Sequence, residues 1–127
     1  MYCIVPIYAH IFAMQFKNRK MNTDNIQAQM RKGVLEFCIL SIISKNESYA
    51  SDIIGSLKDA KILVVEGTLY PLLTRLKNDD LLKYNWEESK SGPPRKYYQL
   101  TTKGEAVLKE MNKTWKELAY AVEKITK

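Results

Sequence analysis

The fold of this chain is decided by one helical segment, which contains the stretch Gly67-Thr-Leu-Tyr-Pro-Leu-Leu-Thr-Arg-Leu76. Helical spacing starts at Glu66 and continues to about Asp79, and Pro71 lies near the first turn, where a missing N–H costs least. Four leucines recur at i, i+3, i+4 and i+7 and predict the buried face: Leu69, Leu72, Leu73 and Leu76. The opposite face is polar and carries Thr68, Tyr70, Thr74, Arg75, Lys77 and Asn78.

A hairpin is predicted directly after this helix. Leu82, Tyr84 and Trp86 alternate with polar residues, as in a half-buried strand. The turn-forming run Ser89-Lys-Ser-Gly-Pro-Pro94 separates them from a second alternating run: Lys96, Tyr98 and Leu100. The two runs therefore predict an antiparallel pair of strands, with Trp86 packed on the body of the domain.

Two helices are predicted before residue 66. Residues 26–44 contain no proline, and apolar side chains occupy almost every side of the predicted helix. This pattern predicts a long first helix that is buried on two sides, by its own domain on one side and by a further, unidentified surface on the other. A polar break at residues 45–48 precedes a short helix whose apolar residues are Tyr49, Ile53, Ile54 and Leu57. Residues 58–65 form the connector.

The last helix begins at Thr102-Lys-Gly-Glu105, which matches a capping box. Its apolar residues are spaced 3-4-3-4-3, a heptad seam of about 2.5 repeats: Leu108, Met111, Trp115, Leu118, Val122 and Ile125. The seam is too short for an independent coiled coil, and it suits a dimerisation arm that packs on other helices.

The order helix, helix, helix, hairpin, helix predicts a fold class that is mainly α with a two-stranded β-wing: a winged helix-turn-helix with a C-terminal dimerisation helix. In this fold the third helix reads the major groove of DNA, and the hairpin lies along the backbone or the minor groove. We assign residues 21–101 to the winged-helix domain and residues 102–127 to the dimerisation helix. Residues 1–20 form an N-terminal extension whose preferred explanation is an upstream start, with the working protein beginning at Met21. A membrane-touching or dimer-covering role is the alternative.

Composition limits the function. The net charge of +6 favours nucleic acid or an anionic membrane surface, although ordinary solubility explains the same charge. Without the extension the charge is still +3. Cys3 and Cys38 show no metal-binding spacing and make no disulfide framework, so a reducing cytoplasmic location fits best. Because His10 is the only histidine, histidine-based catalytic triads and most zinc sites have almost no residues to draw on. No nucleophile–base constellation supports an enzyme, and we expect no metal or cofactor.

The stretch at residues 67–76 resembles the recognition helix of PadR-like transcriptional regulators. A second block, Gly92-Pro-Pro-Arg-Lys-Tyr-Tyr-Gln-Leu-Thr-Thr-Lys-Gly104, resembles the wing of that family and the entry to its last helix. The resemblance covers residues 29–124 and points to the compact branch with one C-terminal helix. It implies a homodimeric, usually repressing transcription factor that often responds to small molecules. The chain departs from the usual Gly-Tyr-Glu/Asp pattern at Tyr49-Ala-Ser-Asp52, which affects the expected phosphate contacts of the second helix.

Two groups of residues are predicted to contact double-stranded DNA. On the third helix they are Thr68, Tyr70, Thr74 and Arg75, where arginine can pair with guanine and the others can reach thymine methyls or phosphates. On the hairpin they are Arg95 and Lys96, which follow two stiffening prolines. A solvated polar face and a basic edge that protects the hairpin are the alternatives. Arg31 and Lys32 are weaker phosphate candidates.

Trp115 is the candidate ligand residue. Together with Met111 and Leu118 it could line a cavity between two arms and stack on a small planar aromatic effector, or it could simply pack in the dimer core. Cys38 is interpreted as an inert core thiol.

The function hypothesis is a DNA-binding transcriptional regulator, a ligand-responsive repressor that binds a pseudo-palindromic operator as a homodimer. The alternative is a winged-helix protein-interaction module without a specific operator.

Overall fold

The computed structural model describes residues 23–127, and these residues belong to two units divided after Val34. The predicted extension at residues 1–20, with Cys3 and His10, and the predicted start at Met21 lie outside the described residues. Within the described part, the first unit contains one helix, α1 (Thr23–Arg31).

The second unit begins with α2 (Leu35–Lys45), so the prediction of a single helix over residues 26–44 is wrong. The break between α1 and α2 contains Gly33, and a glycine inside a helix costs about 1 kcal/mol relative to alanine. A turn forms there instead, in which the Val34 N–H donates to the Arg31 carbonyl at 3.0 Å. Arg31 and Lys32 therefore lie at the end of α1 and in the turn, not at the start of a long helix.

The remaining elements follow the predicted order. They are α3 (Ala50–Asp59), α4 (Glu66–Asn78), β1 (Leu82–Ser89), β2 (Gly92–Leu100) and α5 (Thr102–Thr126). The fold class is confirmed, because the second unit contains three helices, α2 to α4, followed by an antiparallel two-stranded sheet and a C-terminal helix.

The core lies where α2, α3 and α4 meet. Its most deeply buried side chains are Ile39, Leu40, Ile53, Leu57, Leu69, Leu73 and Leu76. The inner face of α4 is thus the predicted leucine face, although Leu72 at its margin is only partly buried. Leu82, Tyr98 and Leu108 extend the core under the base of the hairpin and the start of α5.

The hairpin, which we call the wing, pairs Leu82 with Leu100, Tyr84 with Tyr98 and Trp86 with Lys96. Its turn is shorter than predicted, because the stretch from Gly92 to Pro94 already belongs to β2. The loop before α3 joins the free edge of β2 through a bridge from Ser48 to Tyr98, with N···O distances of 3.1 and 2.8 Å. The start of α3 is therefore fastened to the wing.

The start of α5 is capped one residue earlier than predicted. The Thr101 hydroxyl oxygen accepts a hydrogen bond from the Gly104 N–H at 2.9 Å, so the predicted capping box of Thr102 and Glu105 is wrong. The glycine is required by close packing, because a Cβ at position 104 would lie 2.1 Å from the Leu81 carbonyl oxygen. The Lys103 ammonium also donates to the Asp79 carbonyl at 3.0 Å. These contacts hold the first turn of α5 against the turn between α4 and β1.

Candidate nucleic-acid interface

The outer side of α4 is exposed, as the sequence predicts, but its polar residues do not point in one direction. A helix turns about 100° per residue, so the buried leucines determine where the other side chains lie. Thr74 lies at the centre of the outer face. Tyr70 lies on the flank toward the wing, whereas Thr68 and Arg75 lie on the opposite flank. Sequence reasoning grouped these four residues, although the same periodicity separates them.

Arg75 has a partner within the domain. Its guanidinium forms an ion pair with the carboxylate of Glu36 on α2. The Glu36 side chain is only 25% exposed, whereas that of Arg75 is 61% exposed. The pair therefore orients Arg75 along the flank of α4 while part of its guanidinium stays in solvent. Glu36 was not among the predicted site residues, because its contact joins two helices far apart in the chain and no local sequence pattern signals it.

Arg95 and Lys96, the two predicted wing contacts, lie on opposite faces of the hairpin. Successive strand residues alternate between the two faces of a sheet. Lys96 is paired with Trp86 and Arg95 with Glu87, which places the two cations back to back. The alternation was visible in the sequence, yet the two residues were treated there as one group.

On the Arg95 face, the wing is held by the start of α3. The Arg95 guanidinium lies 4.1 Å from the ring centroid of Tyr49, within cation–π distance. Tyr49 also packs on Tyr97, with 4.9 Å between the ring centroids. Its backbone N–H donates to the Asp52 carboxylate at 3.0 Å, which fixes the first turn of α3. Tyr49 was assigned only to helical packing from the sequence, so its contact with Arg95 is a further feature of the site.

The Lys96 face is turned toward α4. The Lys96 ammonium lies 4.5 Å from the Tyr84 ring centroid and 5.4 Å from that of Trp86. Lys77 of α4 lies over the same Tyr84 ring at 5.9 Å. Two cations from different elements therefore share one aromatic ring, and this joins the wing to α4.

Trp86 does not pack on the body, and that prediction is wrong. Its side chain is 63% exposed, because β1 is exposed at every residue from Asn85 to Glu88. Its ring contacts Tyr84 edge-on, at 6.0 Å between centroids and 87° between planes.

Burial changes the titration of two groups near the core. It raises the pKa of the Tyr98 phenol, and the neighbouring Tyr70 and Tyr84 raise it further. It also raises the pKa of the Cys38 thiol. A raised thiol pKa lowers the thiolate fraction, which agrees with an unreactive Cys38, although this side chain lies at the margin of the core rather than inside it.

The predicted seam on α5 divides into two parts. Leu108 is buried and Met111 packs against the core. Trp115 contacts Phe37 of α2 at 6.5 Å between ring centroids and remains 43% exposed. The later seam residues, Leu118, Val122 and Ile125, are exposed. The far end of α5, which we define as residues 112–126, thus carries an uncovered apolar stripe.

Other kinds of site find little support in the described part of the chain. Between residues 23 and 127, no helix is long and apolar enough to cross a membrane. Nor do three or more His, Cys, Asp or Glu side chains come together there in a way that could hold a metal ion.

The fold and its basic hairpin define a winged-helix protein. Residues 39–110 match the family model described as the transcriptional regulator PadR-like family. The structure is similar to a PadR-like transcription factor from Bacteroides fragilis, with 62% identity, a TM-score of 0.68, and coverage of 80% of this chain and 98% of that one.

Two further solved structures agree. A PadR-like regulator from Bacillus cereus shows 39% identity and a TM-score of 0.70, covering 78% of this chain and 97% of that one. A PadR family regulator from Eggerthella lenta shows 34% identity and a TM-score of 0.75, and the match covers 82% of this chain and 91% of that one. This chain belongs to the PadR-like family of transcriptional regulators. It is therefore a DNA-binding regulator of transcription, and its family is not one of enzymes.

Proposed function

We propose that this regulator binds a pseudo-palindromic operator as a homodimer and represses transcription by occupying DNA that RNA polymerase needs. The observation that carries the proposal is the shared ring of Tyr84, over which Lys77 of α4 and Lys96 of the wing both lie. It supports a rigid basic surface that spans the helix and the hairpin, and such a surface suits a polyanionic duplex.

Within this proposal, α4 enters the major groove. Thr74 at the centre of its outer face and Tyr70 on the wing flank are proposed to approach bases or phosphates, and Thr68 is proposed as a phosphate contact. Arg75 is proposed to reach DNA with the guanidinium N–H groups that Glu36 does not occupy. Arg95 and Lys96 are proposed to neutralise phosphates on the two sides of the wing.

The dimer is supported by two apolar surfaces that the described residues of the second unit, 35–127, leave uncovered. The first is the stripe on the far end of α5. The second is a groove of about 600 Å³ between α2 and α3, lined in part by Phe37, Cys38 and Ile42. Phe37 also contacts Trp115, so the groove and the seam adjoin. In a two-fold dimer each chain offers the same patch to its partner, so one contact can cover both copies. The dimerisation residues proposed are Leu108, Met111, Trp115, Leu118, Val122 and Ile125.

The test is selection of bound duplexes from a random library with the purified full-length chain. We expect a pseudo-palindrome whose half-site centres are separated by about one or two helical turns. Tyr70→Ala and Thr74→Ala are expected to change the selected bases, whereas Arg95→Ala is expected to weaken binding to every sequence. Selection of no common sequence would contradict a specific operator and favour the protein-interaction module. A reporter driven by the selected operator then tests repression, because activation or no effect would contradict that part.

A response to a planar aromatic effector at Trp115, Met111 and Leu118 completes the proposal. Support comes from the half-exposed indole, which rests on Phe37 on one side and is open on the other. A ligand releases DNA only if it binds better to the arrangement of the two subunits that does not fit the operator. Planar aromatics should quench tryptophan emission in the parent and in Trp86→Phe but not in Trp115→Ala, and should lower operator affinity. An absence of quenching across a broad panel would leave Trp115 as dimer packing alone.

A further inference from the structure

Trp86 is a large apolar side chain that the folded domain leaves in solvent on the wing. Its indole is 63% exposed on a strand whose neighbouring residues are also in solvent. Tyr84 holds it edge-on at 6.0 Å, so the exposed ring has a fixed support on one side. A large apolar ring left in water by the folded domain is more often part of a binding surface than a single exposed leucine would be.

The indole lines a cleft between the wing and the two helices beside it. The cleft has a volume of about 420 Å³. The residues that line it include Trp86 and Lys96 of the wing, Glu66 and Tyr70 of α4, and Ser51 of α3. It therefore separates the helix proposed to read the major groove from the hairpin proposed to lie beside it.

The charges of the cleft favour an anion on the wing side. Lys96 contributes its cation to the wing side of the cleft, and Glu66 is the carboxylate on the α4 side. Arg95 also lines the cleft, although its side chain lies on the opposite face of the wing, over Tyr49. Lys96 lies 5.4 Å from the Trp86 ring centroid, so a cation and an apolar ring are adjacent. A sugar–phosphate strand presents the complementary pair, a charged phosphate beside the apolar face of a deoxyribose.

We propose that this cleft receives one sugar–phosphate strand of duplex DNA, with Trp86 packed against a deoxyribose and Lys96 beside the adjoining phosphate. The DNA backbone that separates the major groove from the minor groove would thus lie between α4 and the wing. This inference rests on the proposed DNA-binding function and adds to it a contact with the sugar, which neither basic wing residue supplies. Such a contact is insensitive to base sequence.

The experiment measures Trp86 in the intact protein. The chain has two tryptophans, so the difference between the parent and Trp86→Phe reports on Trp86 while Trp115 is present in both. Saturating duplex DNA is expected to protect the parent from acrylamide quenching and to give no such protection in Trp86→Phe. Trp86→Ala is expected to weaken duplex binding about three- to tenfold at one fixed salt concentration, the range for loss of one aromatic contact.

The salt dependence separates the sugar contact from the phosphate contact. Because Trp86 carries no charge, Trp86→Ala should leave the slope of log K against log salt unchanged, whereas Lys96→Ala should reduce it by about 1. The matched control is Tyr120→Ala, which removes a similarly exposed ring (64%) from α5 and should leave DNA affinity unchanged.

Failure of the proposed DNA-binding function and failure of the cleft proposal give different results. If the parent binds no duplex, the proposed function itself is wrong. If the parent binds duplex but the quenching of Trp86 is unchanged and Trp86→Ala binds equally well, the cleft proposal is overturned and DNA binding stands. Protection of Trp86 by RNA polymerase in place of DNA would also overturn it and would assign the indole to a protein contact.

Discussion

The wing and the far end of α5 both extend from the core of the domain, but they expose different chemistry. The wing exposes cations that lie over aromatic rings, with Arg95 over Tyr49 and Lys96 over Tyr84 and Trp86. The far end of α5 exposes an apolar stripe that ends in Leu118, Val122 and Ile125. Cations supported by rings suit a polyanion, whereas an apolar stripe at heptad spacing suits another helix. The difference indicates two partners on two separate surfaces of one small chain.

The largest expected effect is on the α5 surface. Leu118→Asp places a charge where the proposed dimer would bury an apolar side chain, and an unpaired buried charge costs about 3–5 kcal/mol. We expect dissociation to monomers in sedimentation with helical circular dichroism retained, because the side chain is exposed within one chain. Lys116→Asp, on the opposite side of the same turn, should remain dimeric. A Leu118→Asp protein that sediments like the parent would contradict the assignment of the stripe.

The second prediction concerns the packing of the start of α5 on the turn between α4 and β1, from which the wing begins. Gly104→Ala brings a Cβ to 2.1 Å from the Leu81 carbonyl oxygen, one residue before β1, so helix and turn must separate. Overpacking of this kind costs about 1–3 kcal/mol, measurable as a lower urea midpoint. Gly55→Ala is the control, because its Cβ would meet nothing within 4 Å and alanine is the better helix former. Equal urea midpoints for Gly104→Ala and the parent would show that the start of α5 is loosely packed against Leu81.

Sequence periodicity predicted most of the helices and strands but not the contacts between them. The leucine face of α4 and the alternating hairpin depend on local spacing and are present in the structure, whereas the dimerisation role of the α5 seam stays a prediction. The break at Gly33 was missed, because a proline-free stretch was interpreted as one helix although Gly33, which follows Arg31 and Lys32, disfavours helix. The ion pair of Glu36 with Arg75 and the stacking of Tyr49 with Arg95 join residues distant in sequence, which one sequence cannot indicate.

The third prediction tests the cationic side of the comparison. Arg95→Ala and Lys96→Ala should each weaken binding to operator and to random duplex alike and reduce the salt slope by about 1, because each removes one proposed phosphate contact. Lys113→Ala, which removes an exposed cation from α5, should leave the slope unchanged. Measurements of affinity between 50 and 200 mM salt check this (a range suited to such slopes). A slope that falls as much for Lys113→Ala would show that the wing has no special role and that only net charge matters.

The smallest effect tests whether a ring positions a charge. Tyr49→Ala removes the surface on which the Arg95 guanidinium rests and leaves the charge itself in place. The helix start should tolerate the change, because Asp52 bonds the backbone N–H of residue 49, which alanine retains. An exposed cation–π contact contributes about 0.5–1 kcal/mol, so DNA affinity should fall about two- to fivefold with the salt slope preserved. Tyr49→Phe keeps the ring face and should bind like the parent. In an Arg95→Ala background, Tyr49→Ala should have no further effect, since its only proposed route to DNA is through Arg95. A full additional loss in that background, or a loss in Tyr49→Phe as large as in Tyr49→Ala, would mean instead that the tyrosine contacts DNA directly through its hydroxyl.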